Sequence, residues 1–123
     1  MIIDKGSSFF IGGESMPVKI EINENEVVAF LSGEIDHHNA KILRESVDNV
    51  VETAYPEVLV LDFGGVTFMD SSGVGFVMGR WKLMQDLRGS VRLVNMPPFI
   101  RKVMRMAGIE KLLGEQRKEG HSA

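Results

Sequence analysis

A small α/β domain is the fold class that this 123-residue chain predicts: a mixed β-sheet, with an initial hairpin plus parallel strands, packed with about three to four helices. Three observations predict it. Val18, Ile20 and Ile22 alternate with polar partners and return through Asn23-Glu24-Asn25 into Val27 to Leu31, which is the pattern of a hairpin. A short apolar run at 58–61 and a short strand of Val91, Leu93 and Val94 then alternate with stretches whose apolar residues recur every three or four positions. Strand–helix–strand units joined by short links imply parallel pairing and right-handed crossovers.

Taken in order, residues 1–16 repeat no helix or strand period and carry Gly6, Gly12 and Gly13, so they read as an extension outside the core. Met16 stands just before the regular pattern, which makes the extension either an upstream-start or expression-derived addition or a functional arm. The domain proper is expected over 17–114. Lys19 and Glu21, opposite the apolar face of the first strand, suggest an exposed edge. Residues 32–39 form a polar loop ending in helix-start chemistry. Ala40, Leu43, Val47, Val50, Val51 and Ala54 make one helical stripe, which Pro56 stops.

Val58 to Leu61 is a continuous apolar run, as in a strand covered on both faces. After a short turn, a helix from Ser71 sets Val74, Val77, Met78, Trp81 and Met84 on one side, with Phe76, Leu83 and Leu87 widening the arc. Gly73, Gly75 and Gly79 each cost such a helix about 1 kcal/mol against alanine, which close packing against a neighbour would explain. Gly89 ends the helix, Val91 to Val94 is the next strand, and Pro97-Pro98 opens a last helix. That helix turns Phe99, Ile100, Val103, Met104 and Ala107 inward, with Gly108 as its stop. Residues 115–123 read as a polar tail.

Several function classes drop out on composition. A net charge of −3 gives no general attraction to nucleic acid. No apolar run is long enough for a membrane span, and the first residues lack the pattern of a signal peptide. The absence of cysteine excludes disulfides and thiolate metal sites and fits a cytoplasmic location.

Chemistry concentrates in Asp70-Ser71-Ser72-Gly73-Val74-Gly75 at the start of a helix. Unpaired N–H donors and the positive end of the macrodipole suit such a position to an anion or a phosphorylated serine. One cap needs one side chain, yet three polar side chains are stacked here, ahead of glycines that leave the site open. Either Ser71 or Ser72 could be the N-cap. Asp36-His37-His38 is a second cluster, but adjacent histidines rarely chelate one ion together, so no metal is expected. A Ser–His–Asp hydrolase lacks its elbow, because Met69 and Asp70 occupy the positions two before Ser71 and Ser72. Gly73-Val74-Gly75 lacks the G-K-[ST] ending of a P-loop. The basic residues Arg101, Lys102 and Arg105 of the last helix read as a solvated face.

The runs Ser32-Gly33-Glu34-Ile35-Asp36-His37-His38, Phe68 to Gly75, Gly79-Arg80-Trp81-Lys82 and Pro98 to Gly108 together resemble the STAS-domain anti-sigma factor antagonists. The likeness spans roughly Val18 to Leu113, and the Gly33-to-His38 loop narrows it toward the sporulation branch acting on sigma-F. Two departures stand out: the extension before Met16, and a shorter, more polar C-terminus after Leu113.

The resemblance implies a STAS-like fold and a switch. The unphosphorylated antagonist binds an anti-sigma factor that is also a serine kinase with bound nucleotide, and so frees the sigma factor. Phosphorylation of the motif's first serine, here Ser71, turns the antagonist off, and a phosphoserine phosphatase resets it. Partner-binding residues implied in this way are Asp36, His37, His38, Asp70, Ser71, Ser72, Gly73 and Gly75. The chain is then a binding protein and not an enzyme, with no cofactor. The alternatives are a STAS module of another stress-response assembly or a weak nucleotide-binding or hydrolysing protein.

Overall fold

The computed structural model describes residues 8–11 and 18–112. Strands β1 (Ser8–Ile11), β2 (Val18–Ile22), β3 (Glu26–Ile35), β4 (Val58–Met69) and β5 (Ser90–Val94) form one sheet in the order β1-β2-β3-β4-β5. The first three pair antiparallel, and β3-β4 and β4-β5 pair parallel. Helices α1 (His37–Ala54), α2 (Ser71–Asp86), α3 (Pro98–Met106) and α4 (Ile109–Leu112) complete the domain. The expected hairpin, parallel strands and helices are all present. The expectations for the polar tail at 115–123 and for residues 1–7 and 12–16 lie outside the described residues.

The sheet is built on alternation. Val18, Ile20 and Ile22 of β2, Val27, Ala29 and Leu31 of β3, Leu59, Leu61 and Phe63 of β4 and Val91 of β5 are all buried in one cluster. Leu43, Val47, Val50 and Val51 of α1 close it, with Phe76, Val77 and Met84 of α2 and Ile100 and Met104 of α3. Val60, between Leu59 and Leu61 on β4, is buried as well.

The structure corrects the expectations in several places. β2 is not the edge, because β1, from the segment read as an extension, pairs along it. Lys19 and Glu21 mark an exposed face instead: they form an ion pair at 3.8 Å, and the Lys19 ammonium lies 5.8 Å from the Phe30 ring centre. Residues 32–35 belong to β3 and not to a loop, and β4 runs unbroken through the expected turn to Met69. Two register shifts between β3 and β4 and a left-handed Gly33 (φ 81°) absorb the irregularity.

On α2 the buried stripe is Gly73, Phe76, Val77, Arg80 and Met84, so Met78 faces solvent and Val74 and Trp81 are only half-buried. On α3, Phe99 and Ala107 are exposed, leaving Ile100 and Met104 as its buried residues. The left-handed residue after α2 is Arg88 (φ 63°), not Gly89.

Candidate functional site: two helix starts side by side

Ile35 and Met69 are register partners at the ends of parallel strands β3 and β4, and the Asp70 N–H donates to the Ile35 carbonyl at 3.3 Å. Each strand passes directly into a helix, so the N-termini of α1 and α2 emerge next to each other. Asp36 caps α1, its Oδ1 accepting from the Asn39 N–H at 2.9 Å. Asp70 caps α2 in the same way, its Oδ1 accepting from the Ser72 N–H at 2.8 Å. Two chain segments far apart in sequence, Asp36-His37-His38 and Asp70-Ser71-Ser72, thereby share one end of the sheet.

Neither serine is the N-cap. Asp70 fills that role, which relieves Ser71 of it and leaves the residue exposed at the first helical position. Ser72 is half-buried. His37 and His38 are exposed in the first turn of α1 and are not on a loop. Among the described residues no group of three His, Asp or Glu side chains is placed to hold a metal ion.

The three glycines of α2 divide. A Cβ on Gly73 would collide with the Met69 side chain, so this position needs glycine for packing. A Cβ on Gly75 or Gly79 would meet nothing within 4 Å. Close internal packing therefore does not explain these two. They line a groove of about 560 Å³ between α1 and α2, together with His37, Ala40, Lys41, Arg44, Ser72, Phe76 and Arg80.

Sequence reading missed the ion pair at the base of that groove. Arg80 is 5% exposed, and its Nε lies 2.8 Å from Asp48 Oδ1, without the alignment of a hydrogen bond. Its Nη2 donates to Asp48 Oδ2 at 3.3 Å, its Nη1 donates to the Phe76 carbonyl at 3.2 Å, and its guanidinium carbon lies 5.3 Å from the Phe76 ring centre. Burial pushes the Asp48 carboxyl above its usual range and Arg80 below its own, each partly offset by the other. An arginine falling on the apolar stripe of α2, three residues after Val77 and four before Met84, was the available signal. Phe68, two residues before Asp70 on β4, is 47% exposed.

A model of the STAS domain family matches residues 17–121. The chain belongs to the STAS-domain family. Among curated STAS relatives, the anti-sigma F factor antagonist of Lysinibacillus sphaericus is 33% identical over 88 residues, which are 72% of this chain and 75% of that protein. The anti-sigma-B factor antagonist of Bacillus subtilis is 28% identical over 96 residues, 78% of this chain and 86% of the relative.

Among solved structures, the unphosphorylated anti-sigma factor antagonist SpoIIAA superposes with a TM-score of 0.61 at 32% identity, covering 72% of this chain and 81% of SpoIIAA. The phosphorylated form of the Bacillus protein gives 0.64 at 32% identity, covering 76% and 86%. The murine anion transporter Slc26a9, at 16% identity and a TM-score of 0.63 over 89% of this chain and 19% of the transporter, shares the fold alone.

Proposed function

We propose that this STAS domain is an anti-sigma factor antagonist whose unphosphorylated form binds an anti-sigma factor serine kinase and frees the sigma factor. Phosphorylation of Ser71 ends that binding, a phosphoserine phosphatase reverses it, and the whole cycle runs in the cytoplasm without catalysis by this chain. One observation carries the reading: Ser71 sits exposed at the first position of α2 while Asp70 takes the capping role. Its hydroxyl is thus open to a kinase, beside the N-terminus of α1. The names of the curated relatives and the existence of a phosphorylated SpoIIAA structure support the same assignment.

A phosphoserine adds about −1.5 to −2 charges, which the dipole of α2 tolerates at its N-terminus. Inside an interface, next to Asp70, that charge repels acidic partner groups. A loss of about 3–4 kcal/mol of binding lowers affinity several-hundred-fold. Sigma-F is the pathway favoured by the likeness of the Gly33-to-His38 segment and by the anti-sigma F antagonists among the relatives. A stress-response pathway of the sigma-B kind is the second reading, which the sigma-B antagonists among the relatives favour.

Peptide-mapped mass spectrometry after incubation with the anti-sigma kinase and Mg-ATP tests the proposal. One phosphate on Ser71, and loss of kinase binding by the phosphorylated protein, is the expected result. Phosphate on Ser72 would move the switch by one residue. No phosphate from a kinase active on another substrate would refute it.

A further inference from the structure

Three cations meet in the α1–α2 groove. Lys41 and Arg44 stand one turn apart on α1, both exposed, and Arg80 lies beneath them. Asp48 is committed to Arg80, and Glu52, one turn further along α1, lies near enough to disfavour the Asp48 charge. Arg44 lies near enough to this pair to favour the charge on Asp48 and to disfavour that on Arg80. A chain with a net charge of −3 thus carries a locally positive cleft. Its α2 wall is bare at Gly75 and Gly79, so another chain's backbone can approach closely there.

We propose that the groove between α1 and α2 receives a carboxylate-bearing segment of the anti-sigma factor partner, with Lys41 and Arg44 pairing its acidic side chain and Gly75 and Gly79 admitting its backbone. This rests on the reading of the chain as an anti-sigma factor antagonist. Charge complementarity selects the occupant: the groove is lined by Lys41, Arg44 and Arg80 and by no carboxylate, so an acidic segment supplies the anion they favour. It also adds a second arm to the switch. Ser72 lines the groove and Ser71 adjoins it, so a phosphate on Ser71 brings its negative charge to the mouth of the cleft. Phosphorylation then cancels the field that attracts the partner's acidic segment, besides repelling acidic groups directly.

The test is titration of the purified anti-sigma kinase, with Mg-ADP, against the full-length chain over a range of salt concentrations. Wild type is compared with the Ser71→Asp, Lys41→Glu, Arg44→Glu, Arg44→Lys and Gly79→Leu variants. Melting curves and circular dichroism establish that each is folded.

Lys41→Glu and Arg44→Glu are each expected to lose on the order of tenfold or more in affinity, with a flatter salt dependence. Arg44→Lys should stay within about threefold of wild type, because a point charge at the same place suffices for a carboxylate. Gly79→Leu should weaken binding while raising the melting temperature, an opposition that a purely structural glycine would not show. In an Arg44→Glu background, Ser71→Asp should cost less than it does alone.

Wild-type binding that Ser71→Asp abolishes but Lys41→Glu and Arg44→Glu leave intact would overturn the groove assignment and keep the functional reading. No binding by wild type would remove both. A dimer in sedimentation that Arg44→Glu dissociates would give the groove to a second copy of this chain. Competition by inorganic phosphate at constant ionic strength would give it to a small anion. Either result overturns the proposal.

Discussion

Asp70 anchors the start of α2 through both its side chain and its backbone. Its carboxylate satisfies the Ser72 N–H, and its backbone N–H ties the end of β4 to Ile35 on β3. Asp70→Ala removes the first interaction and spares the second. The expected cost is that of a lost N-cap, about 1 kcal/mol, read as a lowered midpoint in urea with an unchanged slope. Ser71→Ala touches neither bond and should leave the midpoint in place. A motif in which a carboxylate precedes two serines was legible in the sequence. Which residue capped was not, because Asp and Ser are equally good N-caps and only backbone geometry separates them. The same limit hid the roles of Gly75 and Gly79: sequence shows that a glycine is costly in a helix, not whether its open side faces a neighbour or solvent.

Between elements, the Arg80–Asp48 pair joins α2 to α1 beneath the groove. Removing Asp48 leaves the buried Arg80 charge alone, whereas removing Arg80 leaves a half-buried Asp48 that still has Arg44 nearby, and removing both leaves only a packing problem. Asp48→Ala should destabilise the domain by about 3 kcal/mol and Arg80→Met by less, and the Asp48→Leu/Arg80→Met double variant should recover most of the Asp48→Ala loss. A double-mutant cycle by denaturant unfolding checks this.

Titration of Asp48 has a definite sign. Burial raises its folded-state pKa, so its contribution to stability is complete below the unfolded value and declines as pH rises through the folded one. Asp48→Asn should therefore flatten the stability profile just above the ordinary aspartate range. An NMR titration should place the Asp48 carboxyl above that range.

Helix α1 was legible to its last apolar residue because its stripe has one period and one face. Helix α2 was not. Its stripe contains a glycine and an arginine, so residues flanking the true face looked more apolar than those on it. β3 and β4 ran longer than expected because Ser32-Gly33-Glu34 and Gly64-Gly65 carry low strand propensity, and pairing across a bulge overrode it.

Across the whole molecule, the sheet separates stability from the proposed switch. β3 and β4 lie inside the sheet, and the Asp36 and Asp70 segments leave from their C-terminal ends, while β1 lies at the sheet's edge beyond β2. Sequence could not show β1, since four residues between glycine-rich stretches carry no period of their own. Their place is set by the β2 edge they cover.

A chain lacking residues 1–16 should consequently still unfold in one cooperative step, because the buried cluster draws on β2 to β5 and the helices. Its affinity for the anti-sigma kinase should stay within about threefold of the full chain, since additivity holds for distant sites. What should change is self-association. Without β1, the β2 edge presents unpaired N–H and C=O groups, the arrangement that templates strand-to-strand pairing. Sedimentation over rising concentration should show the shortened chain associating where the full chain does not. Equal sedimentation of both, with the kinase affinity of the shortened chain lost, would mean that residues 1–16 serve the partner interface and not the sheet edge.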